Sequence, residues 1–119
     1  MQKSVITTHI LDTQRGRPAV GVGVHLFKSA TGSVADPQWQ SMASAATNDD
    51  GRIIDWLGTR EREAGLYKLE FATGAYYAAQ GLSTLYPQVD ILFEIDTPTE
   101  HYHVPLLLSA NGFSTYRGS

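Results

Sequence analysis

Residues 101–116 read HYHVPLLLSANGFSTY. Side chains at i and i+2 share one face of a strand, so His101 and His103 point one way while Tyr102, Val104, Leu106 and Leu108 point the other. An imidazole pair set against an apolar row predicts a strand packed on one face and open on the other. Asn111-Gly112 is a strong short hairpin signal, because both residues tolerate positive φ, and Phe113 to Tyr116 is expected to return antiparallel. Pro105 has no N–H to give a ladder, which predicts a free edge or a bulge there.

The same two-residue period recurs outward from this stretch. Residues 4–10 (SVITTHI) place Ser4, Ile6, Thr8 and Ile10 on one face and Val5, Thr7 and His9 on the other. Residues 19–28 (AVGVGVHLFK) line up Val20, Val22, Val24 and Leu26, with Gly21, Gly23 and His25 opposite. The glycines point to a close approach of another segment or to a weak strand face. Residues 29–37 read as a loop and Trp39 to Ala46 as a short strand. Asn48-Asp49-Asp50-Gly51 is a turn, with Arg52 directly after it. Leu66 to Ala72 and Val89 to Ile95 read as strands, and 74–81 (GAYYAAQG) as a short helix bounded by glycines. Seven or eight short strands with frequent turns predict an all-β sandwich, with 1–119 as a single domain.

Composition narrows the function. A formal net charge of -3 with no basic block argues against nucleic acid as a partner. The absence of cysteine removes disulfides, thiolate nucleophiles and cysteine-based metal sites together. No apolar run approaches the roughly 20 residues of a membrane span, and neither a signal peptide nor a peroxisomal Ser-Lys-Leu address is recognised. The expectation is a soluble, cytoplasmic protein without a membrane partner.

The chemistry-bearing residues are the histidines, Arg52 and the chain end. An unperturbed imidazole titrates at about 6.5 and can move protons near neutral pH. His9, His101 and His103 all avoid the faces assigned to the core. Each also has a plain reading as a hydrogen-bonded surface residue, and the H-x-H pair can alternatively share a metal. Arg52 is either a solvated charge or a donor fork for a planar, oxygen-rich anion. Tyr116-Arg117-Gly118-Ser119 is either a frayed end or a docked one. Asp49 and Asp50 read as turn residues, and no phosphate loop or nucleophile elbow is present.

Taken together, TTHILDTQRGRPAVGVGVHLF, TNDDGR, TGAYYAAQG, YP followed by VDILFEI, and HYHVPLLLSANGFSTYRGS resemble the transthyretin-related 5-hydroxyisourate hydrolases over nearly the whole chain. The two ends carry most of that specificity. Residues 29–46 and Leu82 to Leu85 carry no family signature. The resemblance implies a transthyretin-like (prealbumin-like) β-sandwich of two four-stranded sheets with one short helix. It implies a homotetramer, a dimer of dimers, with sites in a channel between dimers. It further implies hydrolysis of 5-hydroxyisourate to 2-oxo-4-hydroxy-4-carboxy-5-ureidoimidazoline in urate degradation, with no cofactor and no metal.

Carried over by position, the resemblance makes His9, Arg52, His103 and Ser119 the catalytic group. His9, Arg52, His101 and Tyr116 become the substrate-binding group. His103 or His9 is the general base on water; the sequence does not order the two. The alternative within this fold is a small-molecule hormone carrier without catalysis, as in transthyretin, which lacks the histidine pattern and the YRGS end. A zinc-binding H-x-H protein is a third reading.

Overall fold

The computed structural model describes residues 5–57 and 63–118; Ser4 and Ser119, both singled out from the sequence, lie outside these described residues. The strands are β1 (Ile6–Asp12), β2 (Arg17–Pro18), β3 (Gly23–Ser29), β4 (Trp39–Ala46), β5 (Arg52–Ile53), β6 (Gly65–Phe71), β7 (Val89–Ile95), β8 (Tyr102–Ser109) and β9 (Gly112–Thr115). The helix α1 (Thr73–Ala78) follows β6. One sheet runs β2-β1-β8-β9 and the other β4-β3-β6-β7. The expected pair of four-stranded sheets is therefore present, with one addition. The two-residue strand β5 also pairs with β1, making five strands in the first sheet.

Alternation explains the core. Ile6, Ile10, Leu106 and Leu108 from the first sheet meet Val24, Leu26, Leu69 and Phe71 from the second, all at most 2% exposed. Each such burial stabilises the fold by about 2 kcal/mol. Among the described residues every ladder is antiparallel except β1 with β8, which pair in parallel over seven residues, from Ile6↔Tyr102 to Asp12↔Leu108.

That pairing accounts for Pro105. Tyr102 N–H donates to Val5 and Gly118 N–H to the His103 carbonyl, so odd-numbered residues of β8 turn their backbone polar groups away from β1. The missing Pro105 donor thus points to the β9 side. There the regular pairing with β9 ends at Leu106↔Thr115. The predicted free edge is real and short. Three residues before Leu106 and three after Thr115, the ladder resumes in the same register as a single bridge, His103↔Gly118.

Three local expectations change. Val20 does not join the core row and is 48% exposed, because the chain turns at Gly21 (φ 78°) and β3 starts only at Gly23. A Cβ at Gly21 would meet nothing within 4 Å, so positive φ rather than close packing explains that glycine. The helix begins at Thr73, one residue before Gly74, which lies in its first turn. Gly74 N–H donates to the Pro87 carbonyl, and a Cβ there would lie 2.8 Å from that oxygen. Between Leu26 and Phe27 the β3–β4 register shifts by one residue, and Met42 is the extra residue on β4.

The helix is tied to the first sheet through a buried carboxylate. Asp12 is fully buried. Its Oδ1 accepts the backbone N–H groups of Gln14 and Arg15, and its Oδ2 accepts the Tyr76 hydroxyl at 2.7 Å. A buried anion needs this many donors to offset lost hydration.

The Asn48–Gly51 turn forms as expected. Asn48 Oδ1 accepts from the Asp50 and Arg52 amides, and Gly51 adopts φ 73°. Its carbonyl accepts Ile10 N–H at 2.7 Å, pressing the turn onto β1. A Cβ on Gly51 would lie 2.5 Å from the Ile10 carbonyl oxygen. Gly51→Ala is therefore expected to destabilise the protein by about 2–4 kcal/mol, from left-handed backbone strain plus overpacking. Urea unfolding would measure it.

Candidate active site

The outward face of β1 and β8 is built by the parallel register. Thr7 stands beside His103, and His9 beside Pro105. The imidazoles of His9 and His103 lie 6.5 Å apart, centroid to centroid. Those of His101 and His103 are stacked at 6.3 Å. All three rings are half-buried, on the face opposite Tyr102, Val104 and Leu106. On the other side of β1, Arg52 is the Cα partner of His9. Partners in an antiparallel ladder share a face, so the exposed guanidinium side chain stands on the histidine side.

Thr7 joins this group, although only its place on the His9 face was legible. It is 2% exposed, and its Oγ1 lies 3.0 Å from His101 Nε2 and 2.8 Å from His103 Nδ1. The signal for it was its two-residue spacing from His9, which ordinary β-propensity also explains. One nitrogen of each imidazole is committed to this hydroxyl. Among the described residues, no group of three or more His, Cys, Asp or Glu could hold a metal ion.

Arg117 and Gly118 are docked. Gly118 N–H donates to the His103 carbonyl at 2.8 Å. The Arg117 guanidinium lies over the Tyr102 ring at 4.2 Å and pairs with Glu100 at 2.9 Å. A Cβ on Gly118 would lie 2.5 Å from His103 Cδ2 and 3.2 Å from Cγ. His103 is thus held between Thr7 and a residue with no side chain. Gly118 was not singled out in sequence, because a glycine near a chain end ordinarily signals nothing.

One sequence candidate is not brought in. Tyr116 is 56% exposed and lines a cavity of about 330 Å³ with Leu92, Phe93, Glu94 and Arg117, away from the histidines. The chain leaves the regular β9 ladder after Thr115, which frees Tyr116 from the strand's alternation. His25 sits on the second sheet, where its Nε2 pairs with Ser41 Oγ at 2.6 Å.

Burial and the Arg52 guanidinium hold His9 below its ordinary value of 6.5. A hydrogen bond to the Asp50 backbone and the Asp50 carboxylate pull the other way, less strongly. His9 therefore keeps a neutral imidazole to lower pH than a free histidine. The face offers the neutral imidazole of His9 beside a fixed cation, with two further imidazoles, an arrangement suited to deprotonating water next to a polarised carbonyl.

The profile of the HIUase/Transthyretin family matches residues 6–118. The chain belongs to this family. It is 41% identical over 119 residues to a probable 5-hydroxyisourate hydrolase of Schizosaccharomyces pombe, spanning 99% of this chain and 94% of that one. Among solved structures it resembles Klebsiella pneumoniae 5-hydroxyisourate hydrolase, with TM-score 0.80 and 36% identity over 96% of this chain and 98% of that one. It also resembles sea bream transthyretin in complex with thyroxine, with TM-score 0.85 and 28% identity over 97% and 95%. Family membership and the two-sheet fold agree with the resemblance drawn from the sequence.

Two measurements probe the geometry. Arg52→Gln removes a positive charge beside His9, so the His9 titration midpoint should move up in proton NMR; no movement would show that burial alone depresses it. The fold gains from His9 above pH 6.5 and loses that gain as pH falls through the lowered value. Gly118→Ala should undock the chain end. Losing about 1 kcal/mol of backbone hydrogen bonding lowers amide protection at position 118 about fivefold, which hydrogen exchange would read.

Proposed function

We propose that this protein hydrolyses 5-hydroxyisourate to 2-oxo-4-hydroxy-4-carboxy-5-ureidoimidazoline, a step of urate degradation. The observation that carries the reading is the gathering of His9, His103 and Arg52 on one open sheet face, in a chain about 40% identical over its whole length to 5-hydroxyisourate hydrolases. The fold by itself does not favour catalysis, since transthyretin matches it equally well. The histidine–arginine face is what a carrier has no need of.

In this reading His103 takes a proton from water, and the oxygen adds to the ring carbonyl. Negative charge develops on the carbonyl oxygen, and the Arg52 guanidinium opposes it. The ring C–N bond then breaks, the nitrogen receives a proton, and the carbonyl carbon becomes the carboxylate of the ring-opened product. One water is added across one amide bond. His9, kept neutral by burial and by Arg52, serves as the second proton acceptor or donor. His101 supports His103 through Thr7. Ser119 belongs to the proposal as the residue that follows Gly118 in the sequence. Tyr116 is left out of it, because it faces the β7 side.

A homotetramer is part of the same reading. The strands β7 and β9 end their sheets with open hydrogen-bonding edges, and they carry Leu92 at 43% and Phe113 at 40% exposure. Such edges favour pairing with another copy. The cavities of about 330 to 360 Å³ in one chain are lined by residues other than His9, Arg52, His101 and His103. The histidine face is one wall, and a second copy would supply the other. Light scattering would give the mass. A cytoplasmic location accords with the lack of any helix, among the described residues, long and apolar enough to cross a membrane.

Urate oxidised in situ supplies 5-hydroxyisourate, whose ultraviolet decay the protein should accelerate above the spontaneous rate. His103→Asn should lower that acceleration by about 10²- to 10⁴-fold while the oligomer persists. Full activity in that variant would remove His103 from the mechanism.

A further inference from the structure

A threonine hydroxyl holds one proton. Thr7 Oγ1 faces two imidazole nitrogens, His101 Nε2 at 3.0 Å and His103 Nδ1 at 2.8 Å. It can donate to only one of them, so the other nitrogen must bring its own N–H to the shared oxygen. At 2% exposure, Thr7 is too buried for bulk water to take its place. At least one ring must therefore present an N–H to the shared oxygen, and two arrangements use the hydroxyl proton within the trio.

In the first arrangement Thr7 donates to His103 Nδ1. The His103 proton then sits on Nε2, and the outward nitrogen is no base. Accepting a proton would require the buried hydroxyl to rotate. In the second arrangement Thr7 donates to His101 Nε2 and accepts from His103 Nδ1–H. His103 Nε2 is then a lone pair. When that nitrogen gains a proton, the Nδ1–H···Oγ1 bond stays as it was. The second arrangement serves both protonation states of His103 without moving any heavy atom or hydroxyl, which is what preorganisation requires.

We propose that Thr7 is a positioning residue: it donates to His101, accepts from His103, and so holds His103 in the Nδ1–H tautomer, in which Nε2 is the basic nitrogen. The choice of this arrangement and its catalytic use rest on the hydrolase reading above; the hydroxyl shared by the two rings does not. The tautomer of a histidine follows the hydrogen bond made by its other nitrogen. Without an oxygen at position 7, His103 loses that constraint. The ring stays in place, since Gly118 still backs its Cδ2 edge.

The test uses full-length protein labelled with 15N on histidine, in three forms: wild type, Thr7→Val and Thr7→Ser. Valine keeps the β-branched shape without the hydroxyl, and serine keeps the hydroxyl. Long-range proton–nitrogen spectra should show His103 as the Nδ1–H tautomer in wild type and Thr7→Ser, and as Nε2–H or a mixture in Thr7→Val. Turnover of 5-hydroxyisourate should fall about 100-fold in kcat for Thr7→Val, within the usual range for general-base catalysis, with KM little changed. Thr7→Ser should recover most of that loss. An Nε2–H tautomer for His103 in the wild type overturns the proposal even if the valine variant fails to fold. Wild-type kcat in a folded Thr7→Val overturns it as well. If the wild type leaves 5-hydroxyisourate untouched, the function fails while the spectra still decide the role of Thr7.

Discussion

The parallel pairing of β1 with β8 is the constraint on which the rest depends. It is the one parallel ladder among the described strands, and it joins the two ends of the chain. The register puts Thr7 against His103 and His9 against Pro105. A slip of one residue would turn Ile6 and Ile10 outward and the imidazole face inward. The apolar rows of both strands therefore lock the register, and that register builds the polar face at no separate cost. β1 is also the strand onto which β5 folds, so Arg52 reaches His9 through the same element.

Adjacent threonines show how the two faces divide the work. Thr8 is fully buried, and its hydroxyl is spent on the Val104 carbonyl at 2.6 Å. That bond satisfies a polar group inside the core and does no chemistry. Thr7 is nearly as buried but turns outward, and its hydroxyl goes to imidazoles. Identical residues, one position apart, serve stability and site geometry because alternation sends them to opposite sides of the sheet. Asp12, at the end of the same strand, carries the remaining structural charge, with three donors and Tyr76 among them.

Periodicity made much of this legible. The rows Tyr102–Leu108 and Val22–Leu26 announce their burial, and three histidines announce theirs by avoiding it. The Asn48–Gly51 turn is local chemistry and reads directly, whereas the hairpin expected at Asn111-Gly112 forms one residue earlier, through Ala110 and Asn111, without positive φ. Partner choice is not local. Nothing in residues 4–10 says that their neighbour is 101–109 or that it runs parallel. Only the family resemblance implied that the groups meet. Val20 fitted the apolar row and yet left it, because a single positive φ at Gly21 resets the alternation. Tyr116 fitted the family tail and yet faces β7, since the ladder that would orient it ends one residue earlier. Gly118 matters for the atoms it lacks, which no composition or spacing argument detects.

The extra residue on β4 has a consequence for solubility. β4 is an outer strand, and its sequence, WQSMASAA, contains no charge to repel another chain. β7, at the opposite margin of the same sheet, exposes Asp90 and Glu94. A straight, uncharged margin eight residues long is a template for cross-chain aggregation. Met42 interrupts it. The bulge bends the strand and breaks the even spacing of its outward N–H and C=O groups, so an incoming strand cannot match them along the full length. One inserted residue protects this margin.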